Sequence, residues 1–277
     1  MPVITITYEM GSLAKEVALE LAQSMNLAVM RHEVLEHVAE KMHVPTSLIN
    51  RLRGGKAGLI ERMTADQERF AVYTAEELFE LANQGDVVVR GWGATCLLRP
   101  ITHVVCVRVT RSMEKRVEWL MGKLETDDRD FARSEIHRSD AIHATRIHQR
   151  FGVTWGDPHL YDLVLNTDRV SVQSCAEQIK LLTTRPEFQE TAASRAELAN
   201  MTLEARIRAA LKDHVATQNA NITIESRGGQ VTLRGIVLNT GERSETEKIA
   251  TGVPGVDSVT NELRVMANLR LFTSAEY

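Results

Sequence analysis

The chain has few of the features that mark membrane, secreted or nucleic-acid-binding proteins. Its 277 residues include three cysteines, six prolines and 5% aromatic residues, and the formal net charge is only -4. No apolar run approaches the roughly 20 residues that a membrane-spanning helix needs. The small net charge implies no general attraction to nucleic acid or to an anionic membrane. With 43% hydrophobic and 25% charged residues, the composition predicts an ordinary soluble globular protein.

The three cysteines form no pattern that is typical of a metal site or a redox site. Cys96, Cys106 and Cys175 lie far apart in the sequence, without the short spacing of metal ligands. We expect buried thiols with a structural role. The chain opens almost directly with a strand pattern, so no signal peptide is expected and the cytoplasm is the expected compartment.

Four histidines in the middle of the chain also lack a ligand spacing. His137, His143, His148 and His159 follow one another at gaps of six, five and eleven residues. Neighbours on one face of a helix are three or four residues apart. No metal site is therefore predicted from these histidines.

Residues 3–17 carry the most informative pattern of the chain. A β-branched strand pattern over residues 3–8 runs into a short turn that contains Gly11, and an amphipathic helix pattern then begins around Lys15. This is the layout of a phosphate-binding loop, in which backbone N–H groups and a helix N-terminus face the anion. Lys15 would add a point charge beside the anion.

The loop departs from the general pattern of Gly, four residues, then Gly-Lys-Ser/Thr. Aligned on Lys15, the first glycine position is Glu9, the second is Ala14, and the hydroxyl position is Glu16. A residue at position 14 that needs a positive φ would be unfavourable as alanine, because alanine has a Cβ. A surface lysine at the start of an ordinary helix therefore stays an alternative for Lys15.

Strand and helix patterns alternate up to about residue 182. The strand patterns cover residues 3–8, 27–30, 86–90, 103–109 and 163–166, and the helix patterns cover residues 13–25, 33–42, 65–83, 113–124 and 172–182. The uninterrupted β-branched strands suit a parallel sheet that is buried on both faces. The alternation predicts an α/β domain with a doubly wound parallel sheet. Residues 51–58 are basic and glycine-rich, which predicts a mobile loop.

The last third of the chain has a different pattern. Residues 183–201 contain Pro186 and many small or polar residues, which predicts a linker that is helical in part. Beyond the linker the pattern predicts helices over residues 203–215 and 241–251, and strands over residues 221–226, 230–237 and 256–265. The Arg-Gly-Gly sequence at 227–229 is a hairpin signal. We expect a small α/β domain with a three-stranded sheet.

Three sequence blocks in the first part of the chain resemble one family. They are the turn at residues 9–12 with KEVA at 15–18, VVRGWGA at 88–94, and WGDP at 155–158 followed by YDLVLNT at 161–167. Residues 1–183 resemble the cytidylate-kinase-like branch of the P-loop nucleoside monophosphate kinases. The resemblance implies a P-loop kinase-like parallel sheet flanked by helices.

The second part of the chain is similar to a BON domain. The similarity rests on VTLRG at 231–235, GVPGV at 252–256, Val259 and NEL at 261–263. The predicted domains are a kinase-like domain over residues 1–183, a linker over 184–200, a BON-like domain over 201–267 and a C-terminal tail over 268–277. Residues 201–277 hold nine basic and nine acidic side chains, so an interaction or sensing role is favoured over membrane binding.

The resemblance to the kinases implies a donor, an acceptor and residue roles. The implied donor is ATP with Mg²⁺, and the implied acceptor is a CMP-like nucleoside monophosphate. The implied donor-phosphate loop is Gly11, Ser12, Leu13, Ala14, Lys15 and Glu16, with Lys15 on the phosphates. The implied catalytic arginines are Arg111, Arg116 and Arg138. Such guanidinium groups would neutralise charge during phosphoryl transfer. The implied acceptor-side residues are Glu33, Arg90 and Asp157.

Several of these positions have a simpler explanation. Glu33 fits a solvated helix start, Asp157 fits a turn cap, and residues 129–150, in the place of a kinase lid, fit a solvated helix of mixed charge. Trp92 stands where the family commonly has arginine, and Glu16 replaces a magnesium-binding hydroxyl. A second hypothesis is therefore a catalytically weak or inactive nucleotide sensor or scaffold. That protein would form homo-oligomers through its BON-like domain.

Overall fold

The computed structural model describes residues 1–30, 32–53, 66–91 and 93–266. By contacts the chain forms two compact units, residues 1–65 with 84–194 and residues 66–83 with 195–277. The domain boundaries drawn from the sequence stay predictions, and the predicted tail over 268–277 lies outside the described residues. Within the described part, no helix is long and apolar enough to cross a membrane.

The regular elements are numbered in chain order. The strands are β1 Val3–Tyr8, β2 Ala28–Met30, β3 Val87–Arg90, β4 Val104–Thr110, β5 Leu163–Asn166, β6 Ile222–Arg227, β7 Gln230–Val237 and β8 Ser258–Val265. The helices are α1 Ala14–Met25, α2 His32–Lys41, α3 Thr46–Arg53, α4 Gln67–Gln84, α5 Ala94–Leu98, α6 Met113–Leu124, α7 Arg129–Phe151, α8 Val172–Thr183, α9 Ala192–Asp213 and α10 Thr240–Thr251. Short 3-10 turns lie at Pro158–Leu160 and Pro186–Phe188.

The first unit is built on a five-stranded parallel sheet with the order β2-β3-β1-β4-β5. Its central strands are buried because their β-branched side chains pack on both faces. Val17 and Leu21 of α1 and Ile179 of α8 belong to the same buried cluster as Ile4 and Val107 of the sheet. The predicted α/β fold with a parallel sheet flanked by helices is confirmed. The carboxyl ends of β1, β3, β4 and β5 meet at one edge, where ligands bind in such sheets.

Two segments of the first unit bear on the predicted pattern, and the first of them differs from it. Residues 51–53, predicted as part of a mobile loop, are the last turn of α3, whose Ile49 is fully buried. The rest of that predicted loop, residues 54–58, lies outside the described residues. Residues 129–150, for which the sequence left open a kinase lid or a solvated helix of mixed charge, lie in one continuous helix, α7, whose N-cap Asp128 accepts a hydrogen bond from Phe131 N.

Helix α7 packs through a narrow apolar stripe. Ala132 and Ile136 are fully buried against Val117 and Leu120 of α6, and most of the remaining α7 side chains are charged or polar. Two buried residues in a 23-residue helix give a weak periodic signal. This explains why the sequence shows charge in this segment rather than amphipathic packing.

The second unit contains a three-stranded sheet in which β6 and β7 are antiparallel and β7 and β8 are parallel. Leu203 and Ile207 of α9 pack on Ile224, Leu233 and Leu263 of the sheet. The predicted three-stranded module is confirmed. Its hairpin turn contains Gly228 and Gly229, both at positive φ. Gly229 has a φ of +81°, a conformation that residues with a side chain rarely adopt, and a Cβ there would lie 3.1 Å from the Gly255 carbonyl oxygen, so glycine is favoured at this position.

Helix α9 is longer than predicted, because it begins at Ala192 inside the predicted linker. The linker residues from 192 onward include four alanines and Glu197, which are good helix formers. Leu198, in the same stretch, is fully buried. Helix α4 also belongs to the second unit, where Glu80 pairs with Arg206 and the Tyr73 hydroxyl donates to Asp213.

Candidate functional site

The loop that the sequence singles out, residues 9–13, connects the carboxyl end of β1 to α1. Gly11 has a φ of +81°, and a Cβ there would lie 3.1 Å from the Trp119 ring and 3.3 Å from the Arg116 Cα. Glycine is therefore required both by the backbone and by the close approach of α6. The Ser12 N–H donates to the Glu9 carbonyl at 3.1 Å and closes the turn.

The first turn of α1 presents groups that have no protein partner in the described structure. Among the described residues, no side chain caps the helix and none accepts a hydrogen bond from the N–H groups of residues 13–16. The Ser12 hydroxyl is 1% exposed and also has no partner among the described residues. Lys15 is exposed to solvent. A helix N-terminus with open N–H groups and a nearby cation is suited to an anion.

The strained residue of the loop is Leu13, and Ala14 is unstrained. Leu13 is the N-cap of α1, with a φ of +59°, whereas Ala14 has no positive φ and is the first residue of the helix. The expected conformational objection to alanine at position 14 therefore does not apply. Left-handed backbone costs a residue with a side chain roughly 1–2 kcal/mol, and here Leu13 carries that cost.

Glu9 is the centre of a cluster of donors at the start of the loop. Its carboxylate accepts hydrogen bonds from Arg108 Nη2 and Thr110 Oγ1, each at 2.7 Å. It also accepts from Arg111 N at 3.4 Å and lies 3.6 Å from Arg116 Nη1. The sequence analysis did not assign Glu9 a function; the available signal was an acidic residue directly after a buried strand.

Arg108 joins β4 to the segment WGDP. It is buried, its Nη1 donates to the Trp155 carbonyl at 2.9 Å, and its guanidinium lies 4.5 Å from the Trp155 ring centroid. The Tyr161 hydroxyl donates to the same carbonyl, and burial raises the pKa of Tyr161. The aromatic residues of this block thus hold Arg108 in place.

Two of the three predicted catalytic arginines lie beside the loop. Arg116 is 4% exposed and donates from Nε to the Met10 carbonyl at 2.7 Å. Its Nη2 donates to both carboxylate oxygens of Asp140 of α7, at 2.7 and 2.8 Å. Arg111 lies 3.5 Å from the Gly11 carbonyl and 3.6 Å from Asp168. Each guanidinium therefore has a carboxylate partner.

The third predicted arginine, Arg138, pairs with Glu135 one turn earlier on its own helix at 2.8 Å. Of the predicted acceptor-side residues, Arg90 ends β3 and lies over the Tyr8 ring at 5.1 Å. Asp157 accepts from His159 N at 2.9 Å, and this hydrogen bond lowers the pKa of Asp157. The side chain of Glu33 and the whole of Trp92 lie outside the described residues.

The site offers little to a resident metal ion. Among the described residues, no group of three or more His, Cys, Asp or Glu side chains is arranged to hold one. Glu16 is exposed in the first turn of α1, and Asp168 already accepts from Ser112 N at 3.0 Å. Mg²⁺ is usually held by one or two carboxylates together with substrate phosphates and water. The residues fit an ion that arrives with a nucleotide.

Two protein-family models match the chain. Residues 3–169 match the cytidylate kinase-like family, and residues 200–267 match the BON domain. Both matches confirm the resemblances that were drawn from the sequence. No curated protein matches the chain.

Solved structures similar to this chain cover about two thirds of its length. An uncharacterized protein from Eubacterium ventriosum has a TM-score of 0.53 at 18% identity, over 66% of this chain and 99% of its own. Shikimate kinase from Bacteroides thetaiotaomicron has a TM-score of 0.44 at 14% identity, over 66% of this chain and 99% of its own. Shikimate kinase from Acinetobacter baumannii, in complex with shikimate, has a TM-score of 0.39 at 13% identity, over 68% of this chain and 96% of its own. At such identities the likeness concerns the fold alone.

Proposed function

This chain belongs to the cytidylate kinase-like family, and from that membership we propose that residues 11–16 bind the phosphates of a nucleoside triphosphate. The observation that carries the proposal is the start of α1. There the N–H groups of residues 13–16 and the buried Ser12 hydroxyl have no partner in the described structure, and Lys15 is exposed beside them. Unpaired donors at a helix N-terminus are stabilised when an anion binds.

The leading candidate activity is phosphoryl transfer from ATP to a nucleoside monophosphate of the cytidylate type. Lys15 would hold the donor phosphates, and Arg111 and Arg116 lie beside the loop, where charge develops during transfer. Mg²⁺ would supply neutralisation of the phosphate charge, with Glu16 as the acidic side chain in the first turn of α1. Arg138 would take part only after exchanging Glu135 for a phosphate.

The acceptor would bind at the same edge of the sheet. Arg90 ends β3, the strand next to β1, and is buried over the Tyr8 ring. We assign Arg90, Asp157 and Glu33 to the acceptor side as part of this proposal. Asp157 would have to exchange the His159 N–H for a hydrogen bond to the acceptor.

A second candidate is nucleotide binding without turnover, in a sensor or scaffold that self-associates through its BON-like domain. It is favoured by the pairing of Arg111 with Asp168 and of Arg116 with Asp140. A guanidinium that is already paired with a carboxylate must give up that partner before it can stabilise a transferring phosphoryl group. The two candidates share the phosphate site and differ in turnover.

Formation of ADP by the full-length chain separates these candidates. With Mg-ATP, a kinase forms ADP only when CMP or another nucleoside monophosphate is added, and Lys15→Ala lowers that rate by about 100-fold, as expected for loss of a group that positions the phosphates. Lys248→Ala, in the second unit, is the matched control and leaves the rate unchanged. ADP formation that Lys15→Ala does not lower would contradict the assignment of the loop.

A further inference from the structure

We propose that Glu9 is an internal competitor of phosphate and decides which anions the loop accepts. Its carboxylate holds Arg108 and Arg116, the guanidinium groups to which an incoming polyphosphate would otherwise pair. The inference rests on the proposed function, because it concerns the same loop. It also distinguishes two classes of ligand. A single phosphate group binds while Glu9 stays on its arginines, whereas a polyphosphate binds only by displacing the Glu9 carboxylate.

The environment of the Glu9 carboxylate is that of a bound anion. Two charged guanidinium groups, the Thr110 hydroxyl and the Arg111 backbone N–H surround its two oxygens at 2.7 to 3.6 Å. Charge-assisted bonds of this kind are also what a phosphate oxygen receives in a binding site. The carboxylate therefore satisfies donors that a ligand would use.

The charges around the loop are otherwise nearly balanced. Arg108 is paired with Glu9, Arg116 with Asp140, and Arg111 with Asp168, while Glu16 adds a further negative charge. Among the described residues around the loop, Lys15 and the start of α1 are then left to attract an anion. A triphosphate carries several negative charges, and neutralising it in this site requires a guanidinium group such as that of Arg108, which Glu9 now holds.

The exposure of the cluster permits an exchange of anions. The Glu9 side chain is 15% exposed, compared with 8% for Arg108 and 4% for Arg116. The carboxylate is thus the most exposed of these three charged groups. Glu9 is also the first residue of the loop, two positions before Gly11. An anion that arrives from solvent can replace the carboxylate without uncovering the sheet.

Glu9→Gln tests the inference, because glutamine keeps an acceptor oxygen for Thr110 and removes the charge. We expect the affinity for tripolyphosphate, measured by isothermal titration at low salt, to rise at least about tenfold, with a steeper dependence on salt. Orthophosphate affinity should change by less than about threefold. The matched control, Glu20→Gln, removes one charge from α1 beyond the loop and should change either affinity by less than about threefold.

A second variant covers the case in which Glu9→Gln does not fold. Thr110→Val is nearly isosteric and leaves the carboxylate charged, but it removes the hydroxyl that fixes one oxygen of Glu9. The loosened carboxylate should be displaced more readily, so tripolyphosphate affinity should rise, by less than in Glu9→Gln. An unchanged or weaker affinity in a folded Glu9→Gln or Thr110→Val protein would overturn the inference.

Lys15→Ala separates this inference from the proposed function. If Lys15→Ala abolishes tripolyphosphate binding and Glu9→Gln leaves it unchanged, the phosphate loop stands and the role of Glu9 is wrong. If none of the folded proteins binds tripolyphosphate, both are wrong. If Glu9→Gln binds tripolyphosphate more tightly and the double variant Glu9→Gln/Lys15→Ala does not, the result would support both the phosphate loop and the role of Glu9.

Discussion

At the scale of single residues, the Ser12 hydroxyl links stability to binding. It is buried and forms no hydrogen bond to another described residue. Such an oxygen costs on the order of 1–3 kcal/mol. A protein retains a cost of this size at a binding loop when a ligand supplies the missing hydrogen bond.

Ser12→Ala should therefore change stability and affinity in opposite directions. We expect the free energy of unfolding in urea to rise by about 1 kcal/mol, because the unsatisfied hydroxyl is gone. We expect the Kd for Mg-ATP to weaken by about five- to tenfold, the size of one lost hydrogen bond to a charged group. A loss of stability instead would show that the hydroxyl has a partner in the folded protein.

Cys106 makes a separate prediction about pH. Burial raises the pKa of this thiol to about 12, so the unfolded chain loses its thiol proton at a lower pH than the folded chain. Stability should fall as the pH rises from about 9 toward 12. Urea unfolding of Cys106→Ala should show a shallower decline over this range than the unmutated chain. Equal slopes in the two proteins would contradict the prediction.

The position of the loop could be predicted from the sequence, but its partners could not. The strand pattern, the turn at Gly11 and Lys15 are adjacent in the chain, so local pattern is enough to find them. Asp140 lies 24 residues from Arg116, and Asp168 lies 57 residues from Arg111, so only the fold brings each carboxylate to its arginine. The role of Glu9 depends on such long-range contacts as well.

At the scale of elements, α4 is held within the second unit by polar contacts to α9. Arg206 forms an ion pair with Glu80, including a hydrogen bond of 2.7 Å from Nη2 to Oε2. The Tyr73 hydroxyl donates to Asp213, and burial raises the pKa of Tyr73 to about 12. Tyr73 therefore remains a donor through the physiological pH range.

A double-mutant cycle measures how strongly α4 is held. Glu80→Ala and Arg206→Ala should each destabilise the protein to urea, and the coupling energy between them should be about 0.5–1 kcal/mol, because the pair is partly exposed. The comparison is the same cycle on Glu225 and Arg234, an exposed ion pair on the sheet, with Glu225→Ala and Arg234→Ala. Its coupling energy should be smaller. A coupling energy of zero between Glu80 and Arg206 would mean that the pair does not hold α4.

Side chains of the helices also form a hydrogen bond to one backbone group on each edge strand of the second sheet. Glu204 of α9 accepts from Ser226 N of β6 at 2.8 Å, and burial raises the pKa of Glu204. Arg243 of α10 donates to the Asn261 carbonyl of β8 at 3.1 Å. Covered edges resist strand pairing between molecules.

At the scale of the whole molecule, the two compact units are interleaved in sequence. Residues 66–83 group with residues 195–277, although the match to the kinase-like family extends over residues 3–169. The β-branched strands made the two sheets predictable, because each strand is a local pattern. The assignment of α4 to the second unit depends on contacts across more than 100 residues of sequence, and no local pattern reveals it.

A truncation after residue 194 tests this interleaving. It removes the elements with which α4 groups, so the apolar side chains that α4 buries, such as Leu78 and Phe79, lose part of their cover. We expect limited proteolysis to cleave within residues 66–83 in the truncated chain and to leave the segment intact in the full chain. Equal protection of that segment in both chains would contradict the grouping.

The central claim is that residues 11–16 bind nucleotide phosphates, and titration of the full-length chain with Mg-ATP tests it most directly. Isothermal titration should give a Kd in the micromolar range, about -8 kcal/mol, for the unmutated chain. Lys15→Ala should weaken that binding at least about tenfold, the effect of losing one charge-assisted contact. Absence of heat with Mg-ATP, or equal affinity in the Lys15→Ala protein, would contradict the account.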